Sequence, residues 1–129
     1  MIMTQEQKDL LLKDLCGRLP YKVKAQIPNE YGGYTSAIES IDNDGYVVDF
    51  EGIHIEIEFI KPYLFPLTSM SEEQKVIYGD LCYAIIHSLA WDMQAALNEL
   101  VDWLNKNYFD FRGLIPKDLA VDATGLNIY

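Results

Sequence analysis

The stretch EGIHIEIEF, residues 51–59, places one histidine and two glutamates at alternate positions. Successive side chains of a β-strand point to opposite faces, so His54, Glu56 and Glu58 would line one face. Residues two apart on a strand are separated by about 6.6 Å, so a third metal ligand must come from elsewhere. Asp49, expected opposite His54, is the natural candidate, and an Asp–His–Glu set suits zinc or non-haem iron. The alternative, which the pattern favours, is a solvated sheet face whose charges maintain solubility.

Catalytic chemistry would need groups that this face does not supply. Asp49 and His54 could orient an imidazole as a general base, but no nucleophile stands in a context such as GxSxG. Cys16 and Cys82 lack a CxxC spacing and are expected as two buried free thiols. His87 is expected as a half-buried structural histidine on a helix. No P-loop, dinucleotide fingerprint or complete calcium loop occurs. We therefore expect no catalytic residue and no cofactor.

The composition predicts one acidic globular domain covering residues 1–129. Half of the residues are hydrophobic and 12% are aromatic, which is enough for a core. The formal net charge of −10 repels phosphate backbones, so direct nucleic-acid binding is not expected. No basic segment followed by an apolar one opens the chain, and the longest apolar stretch, LCYAIIHSLAW, is too short to span a bilayer. A cytoplasmic location without membrane contact is therefore expected.

Two helix starts can be recognised from their capping residues. Thr4 with Gln7, and Ser71 with Gln74, have the spacing of a capping box, and the first helix is expected from about residue 5 to 16.

Helical spacing continues without proline from residue 72 to residue 107. A single helix of that length would measure about 54 Å, which is longer than a compact domain of this size is wide. We therefore expect two helices separated within residues 87–92, with Ser88 as the cap of the second.

The strand YVVDF and the stretch that follows it predict a β-hairpin with a defined register. A two-residue loop at positions 51–52 would place six apolar residues on one buried face. The expected pairs are Phe50 with Ile53, Val48 with Ile55, and Tyr46 with Ile57. A slip of one residue would move Asp49 into the core, which the apolar face opposes.

Together these signals predict an α+β fold. A small antiparallel β-meander of about four strands would pack with an N-terminal helix and two C-terminal helices, and partial closure into an SH3-like barrel is an alternative. The predicted segments are the N-terminal helix (1–17), the meander (21–60), a proline-containing connector (61–71), a helical part (72–120) and a tail (121–129).

Three stretches of the chain are distinctive, DLCGRLPYKVK, FIKPYLFPLTSMSEEQK and DWLNKNYFDFRGLIPKDLA. Together they resemble a family of short, uncharacterised proteins spread among gut anaerobes and their prophages or other mobile elements. The resemblance covers about two-thirds of the chain, and residues 79–100 depart from it. Because the family has no assigned activity, the resemblance implies only an accessory protein carried by a mobile element.

Aromatic residues beside the end of the last predicted helix are candidates for binding a partner. They are Trp103, Tyr108, Phe109 and Phe111, with Arg112 placed to stack on them. The alternative, which is favoured, is a cluster that closes the core. We predict a non-catalytic, acidic protein-interaction module whose partner is a protein. The other functions considered are a metal-binding protein or metal-dependent enzyme using Asp49, His54 and Glu56, and an acidic nucleic-acid mimic that inhibits a DNA-binding protein.

Overall fold

The computed structural model describes residues 3–88 and 92–129 of the chain. Within these ranges the chain forms three α-helices and six β-strands, which confirms the predicted α+β fold. The helices are α1 (Gln5–Arg18), α2 (Glu72–Ile86) and α3 (Met93–Lys106). The strands are β1 (Lys24–Gln26), β2 (Thr35–Ile41), β3 (Tyr46–Asp49), β4 (His54–Glu56), β5 (Lys61–Leu64) and β6 (Val121–Asp122). No helix in the described ranges is long and apolar enough to cross a membrane.

Both predicted capping boxes are present. The Thr4 hydroxyl accepts a hydrogen bond from the Gln7 amide at 3.1 Å, and the Gln7 side-chain oxygen accepts one from the Thr4 amide at 3.0 Å. Ser71 and Gln74 form the same two bonds at 3.1 and 2.9 Å. These bonds satisfy amides that have no partner inside the first helical turn, so the sequence defines where α1 and α2 begin.

The helical stretch after residue 71 is divided into α2 and α3, as predicted, and residues 89–91 of the expected break lie outside the described residues. The predicted cap at Ser88 is wrong, because Asp92 occupies the position before α3. The Ser88 hydroxyl instead donates to the Ile85 carbonyl at 2.9 Å and satisfies the end of α2. α1 ends at Arg18, slightly later than predicted.

The six strands form one sheet in the order β4-β3-β2-β1-β5-β6. The first four form the predicted antiparallel meander, β5 pairs antiparallel with β1, and β6 pairs parallel with β5. The predicted connector (61–71) and tail (121–129) therefore each contain a strand. Pro62 lies opposite Ala25 in β5, although proline has no amide hydrogen to donate to a neighbouring strand. The predicted tail is tied to the sheet by the Ala123 amide, which donates to the Leu64 carbonyl at 2.8 Å, and Ala123 itself is buried.

The predicted register of the β3–β4 hairpin is wrong by one residue. Val47, not Val48, lies opposite Ile55, and both Val47 and Ile55 are fully buried. The loop contains three residues rather than two, because the Asp49 amide donates to the Ile53 carbonyl at 3.0 Å and Gly52 adopts a φ of 85°. Since strand side chains alternate between faces, this single extra loop residue places Val47 and Asp49 on the buried face, where Val48 and Phe50 were predicted.

The buried side chains form two clusters. The larger one joins α1 to the sheet, and each fully buried leucine in it stabilises the fold by about 2 kcal/mol. Its members are Leu11, Leu15, Val23, Ala25, Ile27, Ile38, Val47, Ile55, Ile60, Leu64, Leu114, Leu119 and Ala120. The smaller one, formed by Met70, Leu104 and Phe109, joins α3 to the segments that flank the helical hairpin α2–α3.

Replacing Asp49 with alanine should lower the free energy of unfolding by about 2–3 kcal/mol, since three donors lose their acceptor. The side chain is 1% exposed and accepts hydrogen bonds from the Tyr34 hydroxyl and the Glu51 and Ile53 amides. Burial alone would raise the pKa of Asp49, but these bonds lower it below its ordinary value. Such a carboxylate stabilises the fold above its unfolded-state pKa, and this contribution disappears as the pH falls through the folded-state pKa.

Urea unfolding at several pH values checks this prediction, and the difference between wild type and Asp49→Ala should shrink on acidification. Asp44→Ala, in the exposed turn of the neighbouring hairpin, is the control and should change the free energy by less than about 0.5 kcal/mol. Equal losses in the two variants, or a difference that is constant with pH, would contradict the role of Asp49.

Candidate functional site

The three candidate metal ligands do not converge. Asp49 is buried and bonded to Tyr34, whereas His54 is exposed and its Nδ1 lies 2.7 Å from Oδ2 of Asp42. The expected pairing of Asp49 with His54 is therefore wrong, because the extra loop residue sends them to opposite faces. The Tyr46 amide, and more weakly His54, lower the pKa of Asp42. Within residues 3–88 and 92–129, no group of three or more His, Cys, Asp or Glu residues could hold a metal ion.

Glu56 and Glu58 lie together in a groove of about 310 Å³ between α1 and the β2–β3 turn. Hydrogen bonding with Glu58, followed by burial and the charge of Glu58, raises the pKa of Glu56. Lys8, whose Nζ lies 3.7 Å from Oε2 of Glu58, opposes this rise. The pair can hold a proton at a higher pH than a single glutamate, as a general acid would. No serine, cysteine or histidine is among the described residues that line the groove, so the pair has no nucleophile of these kinds beside it.

The predicted aromatic cluster mostly closes the core. Phe109 is 2% exposed and its ring lies 5.6 Å from that of Trp103, so Phe109 is not available to a partner. Tyr108 stacks on Tyr129 with ring centroids 3.7 Å apart. The Arg112 guanidinium lies 4.2 Å from the centre of the Phe111 ring. These five candidates are partly or fully buried, and they connect α3 to the sheet.

A buried ionic network beneath this cluster was not apparent from the sequence. Asp14 and Arg18 are both fully buried, and the Arg18 Nε and Nη2 atoms bond the two Asp14 carboxylate oxygens at 2.9 and 3.0 Å. Arg18 Nη2 also donates to the Phe109 carbonyl at 2.6 Å, and Arg112 Nη1 bonds Asp14 Oδ1 at 2.9 Å. The spacing of four residues between Asp14 and Arg18 is the only sequence signal, and exposed helices carry the same spacing.

The two cysteines and His87 also differ from expectation. Cys16 is exposed and Cys82 is half-buried, so the prediction of two buried thiols is wrong. His87 is exposed rather than half-buried, and its ring lies 3.9 Å from the ring of Tyr83. Cys16 faces solvent because α1 buries only one side, along Leu11, Asp14, Leu15 and Arg18.

The outer surface of α2 is the most unusual feature of the described structure. α2 has no fully buried residue, although apolar residues occur all around it. Its inner side faces α3, where Tyr78 meets Trp103 edge-on at 6.4 Å between ring centroids. Gly79 lines a groove of about 410 Å³ beside this inner side, together with Met70, Tyr78 and Cys82. Centred about 120° around the helix from Tyr78 lies an outer strip, which we define as Val76, Gly79, Tyr83 and Ile86. Its three large side chains are 64%, 63% and 76% exposed.

The outer strip has the geometry of a helix-packing seam. Its members are spaced by three, four and three residues, and at about 100° per residue they fall within an arc of about 80°. Gly79 is the middle residue of α2, where glycine costs about 0.5–1 kcal/mol relative to alanine. A Cβ added there would meet no atom within 4 Å in the described part of the chain. Packing against the described residues therefore does not account for the glycine.

Comparisons of this chain with protein-family models, curated proteins and solved structures return no match.

Replacing Glu58 with glutamine should lower the pKa of Glu56 toward its ordinary value, because both the hydrogen bond and the charge that raise it come mainly from Glu58. An NMR titration of the Glu56 side-chain carboxyl carbon measures this change. Glu30→Gln, on an exposed loop elsewhere, should leave the titration of Glu56 unchanged. A Glu56 pKa that is the same in wild type and Glu58→Gln would show that the two carboxyl groups do not interact.

Proposed function

We propose that this chain is a non-catalytic protein-interaction module that binds a partner protein through the outer strip of α2. The observation that carries the proposal is a helix with apolar residues on all sides and no fully buried residue. Helices of this composition are normally covered on every side by protein. Among residues 3–88 and 92–129, the chain leaves the outer strip of α2 exposed, so we propose that a partner covers it.

The distribution of exposed apolar residues supports this location. Six of the thirteen large hydrophobic residues that are exposed in the described ranges belong to the α2–α3 hairpin. They are Val76, Ile77, Tyr83, Ile86, Met93 and Leu97. Contiguous exposed apolar surface on a folded domain commonly marks an interaction site, whereas scattered single residues do not.

The aromatic cluster at residues 103–112 has a supporting role in this proposal. Trp103 and Phe109 pack beneath the hairpin and hold α3 in place, so they act on a partner only through α2. The net charge of −10 opposes contact with phosphate backbones, which supports a protein rather than a nucleic acid as the partner. An accessory role in a mobile element, implied by the sequence resemblance, is compatible with such a module.

Affinity capture from cells that naturally express the chain tests the proposal, with wild type, Tyr83→Glu and Phe50→Glu as baits. Tyr83 and Phe50 are similarly exposed aromatic residues, at 63% and 62%, and only Tyr83 belongs to the outer strip. We expect a protein that wild type and Phe50→Glu recover equally and that Tyr83→Glu recovers at least about tenfold less, because a charge in an apolar contact must be desolvated.

Circular dichroism should first show that all three baits are folded. Equal recovery by wild type and Tyr83→Glu, or a loss confined to Phe50→Glu, would contradict docking through α2.

A further inference from the structure

The charges beside the outer strip differ between its two flanks. Glu73 and Asp80 lie on one flank of α2, and neither forms an ion pair within the described residues. Lys75 lies on the other flank and is paired with Glu72 at 3.0 Å. The strip is therefore bordered by two carboxylates that have no cation from the described part of the chain, beside one lysine that is already neutralised.

A second copy of the chain would not supply the positive charge that complements Glu73 and Asp80. Between residues 72 and 106 there are six acidic and two basic residues, and the whole chain carries −10. Two such hairpins in contact would bring like charges together, which opposes association. A surface with basic residues beside its apolar ones would instead pair with Glu73 and Asp80.

The shape of the strip indicates which structural element covers it. Apolar residues at alternating spacings of three and four form the seam by which one helix packs along another. Gly79 lies in the middle of this seam, with open space where a side chain would be. A glycine there lets the backbone of a crossing helix approach more closely than any other residue would allow.

From these features we infer that the outer strip binds an amphipathic, basic helix of another protein. Apolar side chains of that helix pack around Gly79, and its lysine or arginine residues pair with Glu73 and Asp80. This inference rests on the proposed function, since it specifies the partner of the same surface.

Two synthetic helical peptides of about five turns test the inference directly. Both carry leucine at seam spacing, and the flanking positions are lysine in one peptide and glutamate in the other. Fluorescence anisotropy should show that wild type binds the lysine peptide at least about tenfold more tightly than the glutamate peptide, with a difference that shrinks as salt screens the pairs. Equal affinity for the two peptides, or no binding of either, would overturn the inference.

A pair of double variants separates local pairing from attraction to the net charge. Glu73→Lys with Asp80→Lys should weaken binding of the lysine peptide at least about tenfold. Asp44→Lys with Glu51→Lys makes the same change in net charge on the exposed turns of the sheet and should have a much smaller effect. Equal weakening by both variants would show non-specific attraction and overturn the inference.

Failure of the basic-helix inference and failure of the proposed function give different experimental results. If Tyr83→Glu abolishes capture of a protein but wild type shows no preference for the lysine peptide, docking through α2 stands and the basic helix is wrong. Sedimentation velocity tests whether a second copy of the chain occupies the outer strip instead. A wild-type dimer that Tyr83→Glu converts to monomer would assign the strip to a second copy and overturn the inference.

Discussion

Asp14 and Arg18 form a fully buried ion pair on α1, and the placement of the residues after α3 depends on it. A buried guanidinium requires acceptors in fixed positions, and losing one partner of such a pair costs about 3–5 kcal/mol. The Nε and Nη2 atoms of Arg18 donate to the Asp14 carboxylate and the Phe109 carbonyl, and Nη1 is buried without a partner among the described residues. Arg112 supplies a second cation to Asp14. The network therefore fixes the position at which the segment containing Phe109 and Arg112 contacts α1.

This constraint explains why α2 presents one side to solvent. With Phe109 held by Arg18, the preceding helix α3 is fixed through the contact between Phe109 and Trp103. Trp103 in turn meets Tyr78, so α2 is attached to α3 through its inner side. The three large apolar side chains of the outer strip are then left mostly exposed to solvent, and the proposed binding role is the reason we give for their apolar character.

The parts of the structure that could be predicted from the sequence are those set by short-range sequence patterns. Thr4 and Ser71 indicated the helix starts, and alternating apolar residues indicated the meander. The register of β3 and β4 was not predictable from loop chemistry, because hydrogen bonds from Tyr34 and two loop amides offset the cost of burying Asp49. The outer strip was harder still to predict, since helical spacing in α2 does not reveal which of its sides the rest of the chain covers.

The most direct measurement is the free energy of unfolding of a triple variant with Val76, Tyr83 and Ile86 replaced by serine. If the fold is complete without the outer strip, urea denaturation should show a change of less than about 1 kcal/mol at an unchanged m value, since surface substitutions away from the core have small effects. A loss of several kcal/mol would mean that the strip packs within the folded chain, and would contradict its assignment as a docking surface.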